Sequence, residues 1–153
     1  MAAKTQVPAV EGWFTLDPDR PALLGSRCRS CGIVCFPREA SFCRNPACTS
    51  REFDEVELSR TGTLWSFTDN RYQPPEPYVS ADPFEPYAIA AVELAAEKMV
   101  VLGQLVAGTD ITTLRAGQPV ELVLGTLYSD DEHDYLVWKW RPVADGDPKG
   151  AAR

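Results

Sequence analysis

The sequence predicts a mainly β protein, a small barrel or sandwich preceded by a helical or extended docking segment and a metal-binding cysteine segment. Three observations lead there. From about residue 53 to 142, short apolar and alternating stretches are separated by turn-prone or polar ones, the spacing of a small all-strand body. All five cysteines fall within residues 28–48, too clustered and too odd in number for the disulfide framework of a small secreted chain. A chain of 153 residues also buries enough apolar surface to fold without covalent help, so the thiols serve another purpose.

Residues 1–27 read as a tail and a docking segment. The first ten are mostly small or polar and are expected to be flexible. Residues 11–27, EGWFTLDPDRPALLGSR, mix the apolar anchors Trp13, Phe14, Leu16, Leu23 and Leu24 with two prolines. Proline lacks an N–H and fixes φ, so any helix here is held to short pieces. Trp13 and Phe14 are candidate interface residues.

Residues 28–52 are short in apolar side chains and rich in Arg, Pro, Ser and Asn, so they build little core alone. Cys28 and Cys31 form a C-x2-C pair followed by Gly32; after 11 intervening residues, Cys43 and Cys48 form a C-x4-C pair. Two cysteines in a tight turn direct both sulfurs at one ion, and Gly32 permits the backbone conformation that turns amides toward them. Four thiolates leave no open position, which points to structural rather than catalytic zinc; iron is the alternative for the same ligands. Only the folded arrangement binds, so an apparent affinity of about 10–16 kcal/mol offsets the poor apolar core. Arg27, Arg29 and Arg44 counter the excess negative charge. The fifth thiol, Cys35, has three readings: a substitute for Cys31, a redox thiol, or a small apolar residue packed beside Phe36, the last being preferred.

Residues 53–142 read as six strands: FDEVELS, GTLWSFTD, YAIAAVEL, KMVVLGQLV, QPVELVLGTLY and YLVWKWRP. In the last, Leu136, Trp138 and Trp140 share one face and Tyr135, Val137 and Lys139 the other. Trp65, Trp138 and Trp140 offer stacking surfaces for a base, but core packing is the preferred reading. Residues 70–86, NRYQPPEPYVSADPFEP, hold five prolines and several aromatics, the makings of an exposed, semi-rigid loop. Its Tyr72, Tyr78 and Phe84 are candidate partner or ligand contacts. Residues 143–153 read as a flexible tail.

Charge limits the function classes. Residues 20–60 carry seven Arg and five acids, +2, whereas residues 61–153 carry seven Lys or Arg and 14 acids, −7. A tetrathiolate holding one divalent ion adds −2 to the cysteine segment. No positive track for phosphates remains, which weighs against a nucleic-acid-binding module. The lone His133 sits in SDDEHDY, a solvated hairpin by composition, and its acids lack the alternating ligands and glycine of an EF-hand loop. Ser66 and Thr68 have no nearby base, so no catalytic residue is assigned. Nothing near the start resembles a signal peptide and no run of about 18 apolar residues occurs, so a cytoplasmic protein without a membrane span is expected.

The order of parts carries a resemblance. An aromatic lead segment precedes a ribbon with Phe36-Pro37-Arg38 between its cysteine pairs; then come GTLWSFT, a proline-rich loop, PYAIAAVEL and VVLGQLV. This order resembles the acyl-CoA-associated rubredoxin-like zinc-ribbon plus OB-fold family, domain of unknown function 35, over about residues 11–142. The resemblance implies a zinc ribbon over 28–52 with Cys28, Cys31, Cys43 and Cys48 as ligands, and an OB-fold barrel over 53–142. It also implies a non-catalytic subunit in a hetero-oligomer with a thiolase-fold enzyme, an acyl-CoA substrate being shared at the interface. The segments AAVELAAEKMVVLGQLV and TLYSDDEHDYLVWKWRP look most like members that partner a steroid side-chain aldolase, with benzoylsuccinyl-CoA thiolase as the alternative. A rubredoxin-like electron carrier is the third class, separated by metal content and colour.

Overall fold

The computed structural model describes residues 2–144. The expected flexible tail lies outside the described residues beyond 144. Nine strands and one 3-10 turn, Ile111–Thr113, make up its regular structure. They are β1 (Thr5–Pro8), β2 (Leu24–Cys28), β3 (Val34–Cys35), β4 (Phe53–Glu57), β5 (Thr61–Asn70), β6 (Tyr87–Leu94), β7 (Met99–Leu105), β8 (Pro119–Ser129) and β9 (His133–Pro142).

Strands β5 to β9 close into a barrel. β5 pairs with β6, β6 with β7, and β8 with β9, all antiparallel; β8 returns to the start of β5, and the end of β9 lies parallel to β7 at Gln104–Lys139 and Leu105–Trp140. Closure removes the exposed edges that a five-strand open sheet would leave. The proline-rich loop connects β5 to β6. The first half of β9 instead takes β1 as a parallel neighbour, Thr5 opposite His133 through Pro8 opposite Leu136. Part of the N-terminal tail is therefore a strand, anchored by Thr5 N–H to the Glu132 carbonyl and Ala9 N–H to that of Leu136.

A second sheet, in the order β3-β2-β4, carries the cysteine segment. β2 begins inside the expected docking segment, and β4 comes from the first strand-like stretch after the cysteines, so the ribbon draws on sequence to either side. The expected helical character of the docking segment is corrected here: no helix forms over residues 11–27. Pro18 and Pro21 remove two N–H donors, and the Asp17 carboxylate accepts from the backbone N–H groups of Asp19 and Arg20, stabilising a turn. The turn folds the segment on itself, with Phe14 bridging antiparallel to Leu23 and Leu24 N–H donating to the Trp13 carbonyl.

The barrel core centres on Trp140, which is 0% exposed, with Leu64, Val92, Leu94 and Val120 around it. Small residues make the room. A Cβ on Gly103 would sit 2.8 Å from Trp140 Cδ1 and 2.9 Å from Trp138 Nε1, so only glycine lets β7 pass beneath both indoles. Among the described residues the Trp140 Nε1–H has no acceptor. That omission costs about 1–3 kcal/mol, against about 5 kcal/mol for burying roughly 200 Å² of ring at about 25 cal/mol per Å². Burial wins.

Four aromatic rings join ribbon to barrel. Trp138 stacks on Trp13 at 6.0 Å and meets Phe14 and Phe36 edge-on at 5.7 and 5.8 Å, while Trp13 also meets Phe36 at 5.6 Å. The Trp138 Nε1–H donates to the Leu102 carbonyl at 3.0 Å, fixing the ring. Leu58 N–H bonds the Leu23 carbonyl, and Ser59 donates both its N–H and its hydroxyl to Glu97 Oε1, so the crossing from ribbon to barrel is clamped too. Trp138→Ala is expected to lower unfolding free energy by about 3–5 kcal/mol, and Gly103→Ala by about 1–3 kcal/mol. Urea denaturation followed by tryptophan fluorescence measures both.

Candidate metal centre

Cys28 ends β2 and Cys31 follows in a tight turn. There Gly32 N–H donates to the Cys28 carbonyl at 3.0 Å, and Cys28 N–H donates to that of Ile33 at 2.9 Å. Gly32 stands at φ +78, the left-handed conformation that suits a residue without Cβ. The second turn spans two more residues. Asn45 takes them up: its side-chain carbonyl accepts from Ala47 N–H, its backbone carbonyl from Cys48 N–H, and its own N–H donates to Cys43 Sγ at 3.5 Å. Cys43 N–H reaches the Ser50 carbonyl and closes the loop.

The four sulfurs converge. All lie within 4.8 Å of one another, with Cys28 to Cys48 at 3.8 Å and Cys31 to Cys43 at 3.5 Å. A tetrahedron of sulfurs about 2.3 Å from zinc has edges of about 3.8 Å, so the set fits a tetrahedral ion. Cys28 and Cys43 are buried while Cys31 is exposed, which puts the cluster at the surface with protein behind it. The thiols also divide electrostatically. Backbone N–H groups, that of Cys31 foremost, lower Cys28 to about 6, and that of Ile33 foremost lowers Cys31. Around Cys43 the Asn45 N–H also favours the thiolate, but burial and the neighbouring thiols outweigh it and push the group up to about 12; Cys48 is raised by the same balance against the Ser50 N–H. Four thiolates do not coexist here without a cation. The four cysteines together can hold a metal ion, and four protein ligands leave it no substrate position.

Cys35 stays apart. It is buried on β3 opposite Ser26 and lies outside the four-sulfur cluster. Trp13 and Phe14, expected to face a partner, are instead used within the chain: Phe14 is buried and Trp13 stacks on Trp138. In the proline-rich loop, Tyr78 stacks on Tyr87 and accepts from Gln104 Nε2, and Phe84 meets Tyr87 edge-on, so both fold back on the barrel. Tyr72 is exposed. Trp138 and Trp140 are core residues, but Trp65 is not; it is 62% exposed, a correction to the core reading. It stands outward next to the buried Leu64, in a bulge marked by the register shift between Leu64 and Ser66.

His133 and the surrounding acids build a hairpin turn. The Asp130 carboxylate accepts from the N–H groups of Glu132 and His133 and from the Tyr135 hydroxyl, which holds it down at about 2. A cleft of about 590 Å³ lies between the proline-rich loop and the barrel, where Asp69, Glu85 and Asp110 outnumber Arg71 and Lys139, so it offers phosphates no net attraction. No helix of the described residues is long and apolar enough to cross a membrane.

The chain is similar to several known proteins. A family model described as the C-terminal OB-fold domain of ChsH2 matches residues 55–125. Benzoylsuccinyl-CoA thiolase subunit BbsA of Geobacter metallireducens is 35% identical over 130 residues, covering 84% of this chain and 80% of that protein. BbsA of Thauera aromatica is 33% identical over 128 residues, covering 83% and 81%. A DUF35 domain-containing scaffold protein of Methanocaldococcus jannaschii is 30% identical over 128 residues, covering 82% and 84%. Among solved structures, a chain of the Ltp2-ChsH2(DUF35) aldolase superposes with a TM-score of 0.60 at 31% identity, covering 89% of this chain and 98% of that one.

Replacing Cys43 by Ser is expected to abolish stoichiometric metal retention, while Cys35→Ala retains it; metal analysis of the purified proteins reads the difference. Acidification is expected to release the ion, because protons compete for every ligand thiolate.

Proposed function

Because the chain belongs to the DUF35 OB-fold family, we propose that it is the non-catalytic accessory subunit of a thiolase-fold acyl-CoA enzyme. The observation that carries this reading is the match to a chain of the Ltp2-ChsH2(DUF35) aldolase, covering 89% of this chain and 98% of that one. The site agrees with it. A closed set of four sulfurs leaves no substrate position, and the single histidine is taken up in a hairpin turn. Such a chain contributes shape: a rigid wall holds the partner's loops, or one side of an acyl-CoA channel, in the reactive arrangement.

The reaction we propose is retro-aldol cleavage of a steroid side-chain acyl-CoA, performed by the partner. A benzoylsuccinyl-CoA-type thiolase is the second reading, favoured by the identity to two BbsA subunits. The ion we propose is structural zinc held by Cys28, Cys31, Cys43 and Cys48, which ties the two turns of the ribbon together. Iron at the same site would colour the protein red. Four thiolates kept for a metal also suit a reducing compartment, in keeping with a cytoplasmic location.

Co-expression with the thiolase-fold subunit from the same source is expected to yield a stable heteromer that cleaves an acyl-CoA substrate, with this chain inactive alone. Replacing Cys28 and Cys31 together by Ser is expected to remove zinc and partner activity in parallel. Turnover by the isolated chain, or full complex activity without zinc, would falsify the reading.

A further inference from the structure

We propose that the outer face of β5, β6 and β7, centred on Trp65, Ala91 and Leu102, is the surface on which the thiolase-fold catalytic subunit docks; this rests on the accessory-subunit reading above. The register builds the face. Ala91 of β6 pairs with Ser66 beside the bulged Trp65 on one side and with Leu102 on the other, forming one row across three strands. Trp65 and Leu102 are each 62% exposed, and Val100, one outward position along β7, is exposed as well. Ala91 faces outward between them yet is only 9% exposed. The face is also poor in charge. From the Thr63–Glu93–Val100 row to the Thr68–Ile89–Gln104 row, Glu93 is the one charged side chain among the described residues, in a chain that is 24% charged. Charge depletion around a protruding aromatic is the composition of an interface centre.

Composition and charge select the occupant. Residues 145–153, DGDPKGAAR, contain no apolar side chain beyond Ala and Pro, so this segment cannot cover an indole and a leucine. A second copy would bring together two barrels whose residues 61–153 each carry seven basic and 14 acidic side chains, a like-charge pairing that opposes association. The same excess of acid repels a polyanion. A larger protein partner with an apolar patch and a basic rim meets both requirements, and the thiolase-fold subunit is the partner the family supplies.

The test uses the full chain with a purification tag, alone and co-expressed with the thiolase-fold subunit, as wild type, Trp65→Ser, Leu102→Lys and, on β8 away from the face, Thr126→Lys. All the altered side chains point outward, so unchanged metal content and circular dichroism establish folding before binding is read. Expected is at least about a tenfold weaker affinity for Trp65→Ser and Leu102→Lys, with Thr126→Lys at the wild-type value. In the wild-type complex, the acrylamide-accessible fraction of tryptophan fluorescence should also fall, since Trp65 is the exposed indole. Undiminished binding by both face variants overturns the docking surface while leaving the accessory-subunit reading intact. If wild type itself fails to bind the thiolase-fold subunit, that reading falls and takes the surface with it. A wild-type homodimer that Trp65→Ser dissociates assigns the face to a second copy and overturns the proposal.

Discussion

The position of Trp138 is the constraint on which the rest of the structure depends. One indole is touched by the N-terminal segment through Trp13 and Phe14, by the ribbon through Phe36, and by the barrel through its own strand and the Leu102 carbonyl. A three-stranded sheet with little apolar surface of its own is marginal in water, so the ribbon needs this contact. An ion held by the four cysteines would add about 10–16 kcal/mol to the folding of their turns. Aromatic pairs, each about 0.5–1.5 kcal/mol beyond burial, decide where the folded ribbon points relative to the barrel.

Three acids are engaged in structure. Asp130 holds the turn before β9, Asp110 caps the 3-10 turn by accepting from Thr112, and Glu97 clamps Ser59 at the crossing between the sheets. Ion pairs such as Arg29 with Asp54 and Arg38 with Glu55 fasten the cysteine segment to β4. These pairs are exposed and screened by solvent, so their effect is on register more than on stability.

The strands of the barrel were legible because each carries its own apolar pattern, and the convergence of the four cysteines because pair spacing encodes turn geometry. Features built by pairing distant segments were not. β1 is four residues, Thr5–Pro8, with no apolar alternation, and its pairing partner lies more than a hundred residues away at His133 to Leu136. The segment from Trp13 to Leu24 reads as an amphipathic mixture, and only the Phe14–Leu23 bridge reveals that it folds on itself as a β-like loop. The exposure of Trp65 was not legible for a local reason: a bulge at Leu64–Ser66 sets two successive residues outward, and Leu64-Trp65-Ser66 carries no glycine or proline to announce it. Trp13 and Phe14 were legible as anchors, but sequence alone does not say whether an anchor seeks its own chain or another.

The interior seam and the outer face share one strand. Trp138 bonds the carbonyl of Leu102 from inside the barrel while the Leu102 side chain stands in solvent on the other surface, and the next residue, Gly103, is the one that both indoles lie against. Phe36 of the ribbon packs edge-on against Trp138, so the cysteine segment and the exposed row on β7 are joined through one packed ring. Around Leu102, β7 is paired with β6 alone; its pairing with β9 begins at Gln104 and Leu105. The Trp138 N–H therefore bonds the Leu102 carbonyl in the place that a strand neighbour would otherwise take.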